Sequence, residues 1–239
     1  MDLNYHDILV KILDVYKDCG IQSFPIDCYS ILRHYGYRIF TYQNIRDINE
    51  RLYEYCRNYS EDAFRYGANR IIAYDETKSP FRVRFSIMHE LGHIMLEHSK
   101  ECSYNEHQAN FFASNILAPR MAIHFAGCRN ADDVSSLFQI SREAGSYAYQ
   151  NYILWKDSVS NEVSDIDEAM YRHFYNEDIG EFIYRTADCC ICGKTIYNSD
   201  EDLCIHCKMD QIRRQCSCTQ MNSNERMLMN MEQQLLNNI

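Results

Sequence analysis

Two histidines and a glutamate stand together at residues 89–93, in the order His-Glu-Leu-Gly-His. Residues four apart lie on one face of an α-helix, so His89 and His93 can reach one metal ion at roughly 2.0–2.1 Å. Glu90 follows the first histidine and flanks the metal without binding it. A carboxylate in that position can take a proton from the attacking water in metal-assisted hydrolysis. The pattern H-E-x-x-H is typical of a zinc peptidase helix.

The residues around this motif predict a buried helix that begins near residue 79. Ser79 suits the N-cap of that helix, and Pro80 suits its first turn. Apolar residues then recur at the spacing of a helix face: Phe85, Met88, Leu91, Met95 and Leu96.

A catalytic zinc needs a third protein ligand and an open position for water. The next predicted helix, residues 105–119, offers Glu106 and Asn110, which share one face because they are four residues apart. We expect Glu106 to be the third ligand. We expect Asn110 to hold a ring N–H of a zinc-bound histidine, which fixes the orientation of the ring.

Two further histidines are rival ligands. His107 points about 100° away from Glu106 around the same helix. His98 lies nine residues past His89, half a turn out of phase with the motif. We therefore interpret both as ordinary surface or rim histidines.

Several ordered motifs resemble the ImmA/IrrE family of metallo-endopeptidases, over about residues 20–155. The motifs are Arg-Ile-Ile-Ala-Tyr at 70–74, the lead-in at 82–85, the His-Glu motif at 89–93, and E-x-x-A-N-x-F-A-x-x-I-L-x-P at 106–119. Ala118 stands where the family often has Met, and Ile116 where it often has Leu; both departures are apolar. The resemblance implies a zincin-like fold and a zinc-dependent endopeptidase. It also implies a substrate, a partner helix-turn-helix transcriptional repressor, whose cleavage derepresses genes of a phage, mobile element or stress response.

A second metal-site pattern lies near the end of the chain. It has the form C-x-x-C, eleven residues, then C-x-x-C, and consists of Cys189, Cys192, Cys204 and Cys207. Four thiolates close a tetrahedron and leave no open position, so we expect a structural zinc in a ribbon-like module.

Three other cysteines complicate this ligand set. Cys190 competes with Cys189, and the spacing to Cys192 favours Cys189. Cys216 and Cys218 form a C-x-C pair and are substitutes for one of the four. At the first site, Mn²⁺ or Fe²⁺ are alternatives to Zn²⁺, because a His₂Glu ligand set accepts all three.

The predicted fold class is α+β: a mostly helical metallopeptidase domain with a small β-sheet, then a small C-terminal zinc ribbon. We divide the chain into a peptidase domain (1–156), a linker of aromatic and acidic residues (157–186), the ribbon (187–218) and a tail (219–239) that is either helical or frayed. The predicted helices outside the site are residues 3–18, 25–35, 45–57 and 132–138, and the predicted strands are 37–42 and 70–74. A third strand or helix packing must complete the sheet, because a hairpin alone is marginal.

Charge and composition bear on partners and location. A formal net charge of −10 disfavours nonspecific binding to nucleic acid or to an anionic membrane. Neither a long apolar run nor a cleavable signal segment is evident, so we expect a cytoplasmic protein without membrane contact.

Residues 133–152 resemble the core of a helix-turn-helix, which gives an alternative function. In that alternative the chain is a non-catalytic regulator that binds a repressor or DNA through this stretch and the ribbon. Arg142 is the only basic residue from 133 until Lys156, so phosphate contacts would be few. That scarcity favours two helices packed by a short turn, and the presence of Glu90 favours an enzyme.

Overall fold

A computed structural model describes residues 4–66, 69–100, 102–159 and 163–220, together with 227, 230 and 231. The chain divides into two compact units, Met1–Arg185 and Thr186–Ile239. Most of the tail predicted at 219–239 lies outside the described residues, and so do the side chains of Cys216 and Cys218.

The first unit is mostly helical. Its helices are α1 (Tyr5–Asp18), α2 (Cys28–His34), α3 (Tyr42–Ile48), α4 (Glu50–Tyr59), α5 (Pro80–Met95), α6 (Ser103–Leu117), α7 (Arg120–Phe125), α8 (Ala131–Phe138), α9 (Arg142–Val159) and α10 (Asp165–Phe174). Its strands are β1 (Arg38–Thr41), β2 (Ala63–Tyr66), β3 (Ile71–Tyr74), β4 (Tyr175–Asn176) and β5 (Glu181–Phe182). In the described part of the chain, every helix is too short or too polar to cross a membrane.

Side-chain caps set where several of the helices begin. The Ser79 hydroxyl accepts a hydrogen bond from the Arg82 N–H, so α5 begins at Pro80 as predicted. The single helix predicted over 45–57 is wrong, because Asn49 has extended dihedrals and ends α3. The Asn49 side chain then accepts from the Leu52 N–H and caps α4, which makes two short helices of one predicted helix.

A three-stranded sheet, in the order β1-β3-β2, lies beside α5. β1 runs parallel to β3, with Arg38 opposite Ile71, and β2 runs antiparallel to β3, with Ala63 opposite Tyr74. The two predicted strands are therefore present and adjacent. β2 is the third strand that the sheet required, and its position was not predicted from the sequence.

The segment predicted as a linker contributes to the core of the first unit. Helix α10 buries Ile166, Met170 and Phe174, and strand β5 buries Phe182. Phe174 packs against Phe24, with ring centroids 5.1 Å apart. The aromatic residues of this segment thus stabilise the first unit, and the boundary between the two units falls near residue 185.

The second unit has a hairpin followed by a helix. Strands β6 (Thr186–Asp188) and β7 (Thr195–Tyr197) pair in antiparallel register, with Ala187 opposite Ile196. Helix α11 (Ile205–Gln220) follows. One C-x-x-C pair therefore lies in the hairpin connection, and the other lies where α11 begins.

Helices α5 and α6 make the most extensive contact between helices in the first unit. Gly92 lies at their crossing, where a Cβ atom would stand 3.2 Å from the Ala109 Cα and 3.2 Å from the Phe112 Cβ. The Ala109 backbone cannot yield as a flexible side chain would. Glycine at this position thus lets the two helices approach closely enough to share one metal site.

We predict that Gly92→Ala lowers the free energy of unfolding by about 1–3 kcal/mol, because the added methyl overpacks a backbone contact. Urea denaturation measured by circular dichroism tests this. Leu154→Ala on the exposed face of α9 is the control, and it should change stability by less than about 0.5 kcal/mol. Unchanged stability in Gly92→Ala would show that α5 and α6 are not in such close contact.

Candidate metal centres

Three side chains from α5 and α6 converge at one point. The Nε2 atoms of His89 and His93 are 3.0 Å apart. Glu106 places one carboxylate oxygen 3.2 Å from His89 Nε2 and the other 3.3 Å from His93 Nε2. The i, i+4 spacing on α5 aligns the two histidines, and the first turn of α6 brings Glu106 to them.

The spacing of these atoms fits a tetrahedral metal ion. With bonds of roughly 2.0–2.1 Å, neighbouring ligands of a tetrahedral zinc are about 3.3–3.4 Å apart. The three distances of 3.0, 3.2 and 3.3 Å are close to that value. Nitrogen and carboxylate lone pairs that face each other at this distance repel unless a proton or a cation lies between them.

The electrostatics of His93 favour the cation. Burial, together with the smaller effects of the neighbouring His89, His98 and Arg65, lowers the pKa of His93 to about 3. The ring is therefore neutral at physiological pH, which is the state that a metal ligand needs. These residues form one of the groups in the described part of the chain that could hold a metal.

Asn110 lies next to the first histidine. Its Oδ1 is 2.9 Å from His89 Nδ1. The amide oxygen accepts the ring proton, so the lone pair of His89 is left on Nε2, the atom that faces Glu106. This is the contact that the spacing of Glu106 and Asn110 led us to expect.

The two rival histidines have different surroundings. His107 is exposed on α6 and lies outside the group of three. His98 also lies outside that group, but it is not a simple surface residue. Its ring is 3.0 Å from His93 Nδ1 on one side and 3.0 Å from the Gln108 side-chain oxygen on the other. This pair of contacts was not predicted from the sequence.

The metal-site residues line a cavity of about 1010 Å³. Glu90, which is partly buried, faces this cavity together with His89, His93 and Glu106. The walls are aromatic and apolar in part: Tyr59, Phe64, Phe81, Phe85, Ile140 and Tyr147. Two of the chain's tyrosines, Tyr59 and Tyr147, are therefore candidate hydrogen-bond donors in the cavity, and the sequence alone could not single them out.

The helix-turn-helix-like stretch forms part of the same cavity. Gln139 has φ +53° and ends α8, and α9 begins three residues later. Glu143 and Tyr147, near the start of α9, line the cavity. The Arg142 guanidinium lies 2.8 Å from the Asp132 carboxylate, so the one basic side chain of this stretch has an acidic partner.

The second unit brings four thiols together. The Sγ atoms of Cys189, Cys192, Cys204 and Cys207 all lie within 4.8 Å of one another. Sulfur ligands of a tetrahedral zinc are about 3.8 Å apart for Zn–S bonds of about 2.3 Å. The Cys192 and Cys204 sulfurs are 3.6 Å apart. The four thiols therefore fit a closed Cys₄ site.

Backbone geometry distinguishes Cys189 from Cys190. Cys189 is buried, and its sulfur accepts a hydrogen bond of 3.3 Å from the Cys204 N–H. Hydrogen bonds from the backbone N–H groups of Cys204, Cys192 and Ile191 lower the pKa of the Cys189 thiol to about 6. Such a thiol is readily present as the thiolate that zinc binds. Cys190 is exposed and lies outside the group of four.

Together the fold and the first centre define a metallopeptidase-type domain. The family model of peptidase M78, described as the IrrE N-terminal-like domain, matches residues 42–148. That match runs from α3 into α9 and includes both helices of the first centre. Residues 42–148 therefore form an IrrE N-terminal-like domain, which confirms the resemblance to the ImmA/IrrE family. No curated protein matches the chain.

We predict about two metal ions per chain at saturation, one for each ligand set. Glu106→Ala should lose the ion of the first centre. Cys207→Ser should lose the ion of the second and unfold the region around 187–210, while the first unit still binds metal. Mild chelation should remove the first ion before the second, because closed thiolate sites bind zinc with roughly 10–16 kcal/mol of apparent free energy.

Elemental analysis of the dialysed full-length variants measures these stoichiometries. Cys102→Ser is the matched control, since Cys102 is an exposed thiol outside both groups, and it should leave both ions in place. Loss of all bound metal in Cys207→Ser would overturn the assignment of two independent sites.

Proposed function

We propose that this chain is a zinc-dependent endopeptidase that cleaves a partner helix-turn-helix transcriptional repressor, in the cytoplasm, and so derepresses genes. The observation that carries this proposal is the convergence of His89, His93 and Glu106 in a cavity that also holds Glu90. A binding-only scaffold has no need of a carboxylate base beside a metal site.

The ligand set fits a catalytic metal because three protein atoms leave one position open. A zinc ion bound there would polarise the scissile carbonyl and lower the pKa of a water molecule. His89 and His93 would hold that ion through Nε2, and Glu106 through its carboxylate. These residues belong to two different helices, so the site depends on the packing of α5 against α6.

Glu90 supplies the proton transfers. Its carboxylate accepts a proton from the water that attacks the peptide carbonyl, and it delivers that proton to the nitrogen of the leaving amine. One group can do both because its conjugate acid is formed in the first transfer and consumed in the second. Its position in the helix, directly after His89, holds it at the cavity without competing for the metal.

The cavity suits a polypeptide substrate. Its volume of about 1010 Å³ is at the upper end of the range for small-molecule pockets, roughly 300–1,000 Å³. The aromatic walls can accept apolar side chains on either side of a scissile bond. The net charge of −10 complements a basic DNA-binding partner, which favours a repressor as the substrate.

The geometry of α8 and α9 counts against the regulator that binds DNA. The start of α9 faces the cavity with Glu143, and a carboxylate repels phosphate. Arg142 is already paired with Asp132. We therefore assign this stretch to the wall of the peptidase cavity.

We predict that Glu90→Gln lowers kcat by about 10²–10⁴-fold while the protein still binds one metal ion at the first centre, because the amide removes only the proton acceptor. Kinetics on a cleavable substrate and elemental analysis on the same sample test both parts. Glu168→Gln, at an exposed glutamate paired with Arg172 on α10, is the matched control and should retain activity. Full activity in Glu90→Gln with metal bound would exclude this mechanism.

We predict that the purified chain, loaded with zinc, cleaves a helix-turn-helix repressor encoded by a neighbouring gene. Mass spectrometry of the products would give the cleavage site, and Glu90→Gln serves as the inactive control. If wild type and Glu90→Gln both bind the repressor with equal affinity and leave it intact, the regulator without catalysis is the better description.

A further inference from the structure

Helix α5 ends in a turn that brings the residues after it back toward His93. The Glu97 N–H donates to the Ile94 carbonyl at 3.2 Å, and the His98 N–H donates to the His93 carbonyl at 3.0 Å. Glu97 has φ +56°, the left-handed conformation that usually favours glycine. These features define a Schellman motif, in which the residue after the left-handed position lies against the last helical turn.

The residue in that position is His98, and its ring continues a line of contacts that starts at the metal site. His93 Nδ1 is 3.0 Å from His98 Nδ1. His98 Nε2 is 3.0 Å from Oε1 of Gln108, a buried side chain on α6. The line therefore runs from the edge of His93 that faces away from Glu106 into the contact between α5 and α6.

Only one arrangement of protons leaves His93 able to bind a metal. The Gln108 Oε1 can only accept, so the proton of neutral His98 is on Nε2. His98 Nδ1 is then an acceptor, and the proton between the two rings belongs to His93 Nδ1. His93 Nε2 consequently keeps its lone pair, and this is the atom that faces His89 and Glu106. The opposite arrangement would place the His93 proton on Nε2 and block the site.

We propose that His98 and Gln108 are positioning residues that hold His93 in the tautomer whose Nε2 binds the metal. The inference rests on the proposed metal site, but not on peptide cleavage. It complements the contact between Asn110 and His89 Nδ1, so that each histidine of the site has its own acceptor. Outer partners of this kind typically contribute 10- to 100-fold to metal affinity.

The experiment compares full-length variants at one ring. His98→Leu removes the acceptor for His93 Nδ1 and should weaken zinc affinity of the first centre roughly 10- to 100-fold. His98→Asn places an amide oxygen near the position of Nδ1 and should restore affinity to within about threefold of wild type. Gln108→Leu should weaken affinity in the same direction as His98→Leu, because His98 can then adopt either tautomer. His107→Leu, an exposed histidine on α6, is the matched control and should bind zinc as wild type does.

Two measurements keep the result independent of activity. Competition with a chelator, while zinc stays in the Cys₄ site, gives the affinity of the first centre, and the visible absorption of Co²⁺ in that centre reports its ligand geometry. Ring ¹⁵N chemical shifts of His93 in protein stripped at the first centre report the tautomer. We expect the Nδ1–H form in wild type and in His98→Asn, and a mixture in His98→Leu and Gln108→Leu.

The outcomes separate this inference from the proposed function. Wild-type affinity in both His98→Leu and Gln108→Leu overturns the positioning role, and so does an equal loss in His98→Leu and His98→Asn, which would make His98 a ligand or a packing residue. If the wild-type protein has the Nδ1–H tautomer and binds zinc tightly but cleaves no peptide, the positioning role of His98 and Gln108 stands and the proposed endopeptidase activity is excluded. A thermal melt of each variant identifies any loss caused by unfolding.

Discussion

The first candidate metal centre depends on an electrostatic repulsion that a proton or a cation between the groups must relieve. His89, His93 and Glu106 direct lone pairs at one another over 3.0–3.3 Å. His93 resists protonation because it is buried. A folded chain that holds acceptors this close must place the supporting backbone very accurately. Gly92 contributes to that placement, since a Cβ atom there would lie 3.2 Å from the Ala109 backbone and one of the two helices would have to shift. The closeness of the helices is therefore a requirement of the metal site.

Helix α6 places three polar side chains at its contact with α5. Glu106 faces the metal position, Asn110 faces His89, and the buried Gln108 reaches His98 from the same helix. A shift of α6 would thus disturb one ligand, the acceptor for His89 and the side chain that orients His98. The buried residues Ala109, Phe112 and Ala113 hold α6 against the core, and this packing also fixes the positions of its polar residues.

The parts of the site that the sequence predicts are those with helical periodicity. His89 and His93, and then Glu106 and Asn110, are pairs four residues apart, and helical geometry alone aligns each pair. His98 lies outside the ligand group as expected, but its contacts were not predicted, because an α5 continued past Met95 would direct it away from His93. The chain instead turns at Glu97, a left-handed position without the glycine that usually marks such a turn. Strand β2 and the break at Asn49 were not predicted from the sequence for a related reason. The pairing of β2 with β3 is a tertiary contact, and the break at Asn49 depends on a single cap. Local patterns of apolar residues encode neither.

The two candidate metal centres differ in the coordination positions that their ligand sets leave open. In the second unit, four sulfurs within 4.8 Å surround one point, and backbone N–H groups stabilise the thiolate of Cys189. No direction remains from which a substrate could approach an ion held there. In the first unit, three ligand atoms occupy one side of a point whose other side opens on a cavity with a carboxylate at its edge. A catalytic metal needs a free coordination position and a nearby base, and of these two ligand sets the first alone leaves such a position, beside a cavity that Glu90 also lines.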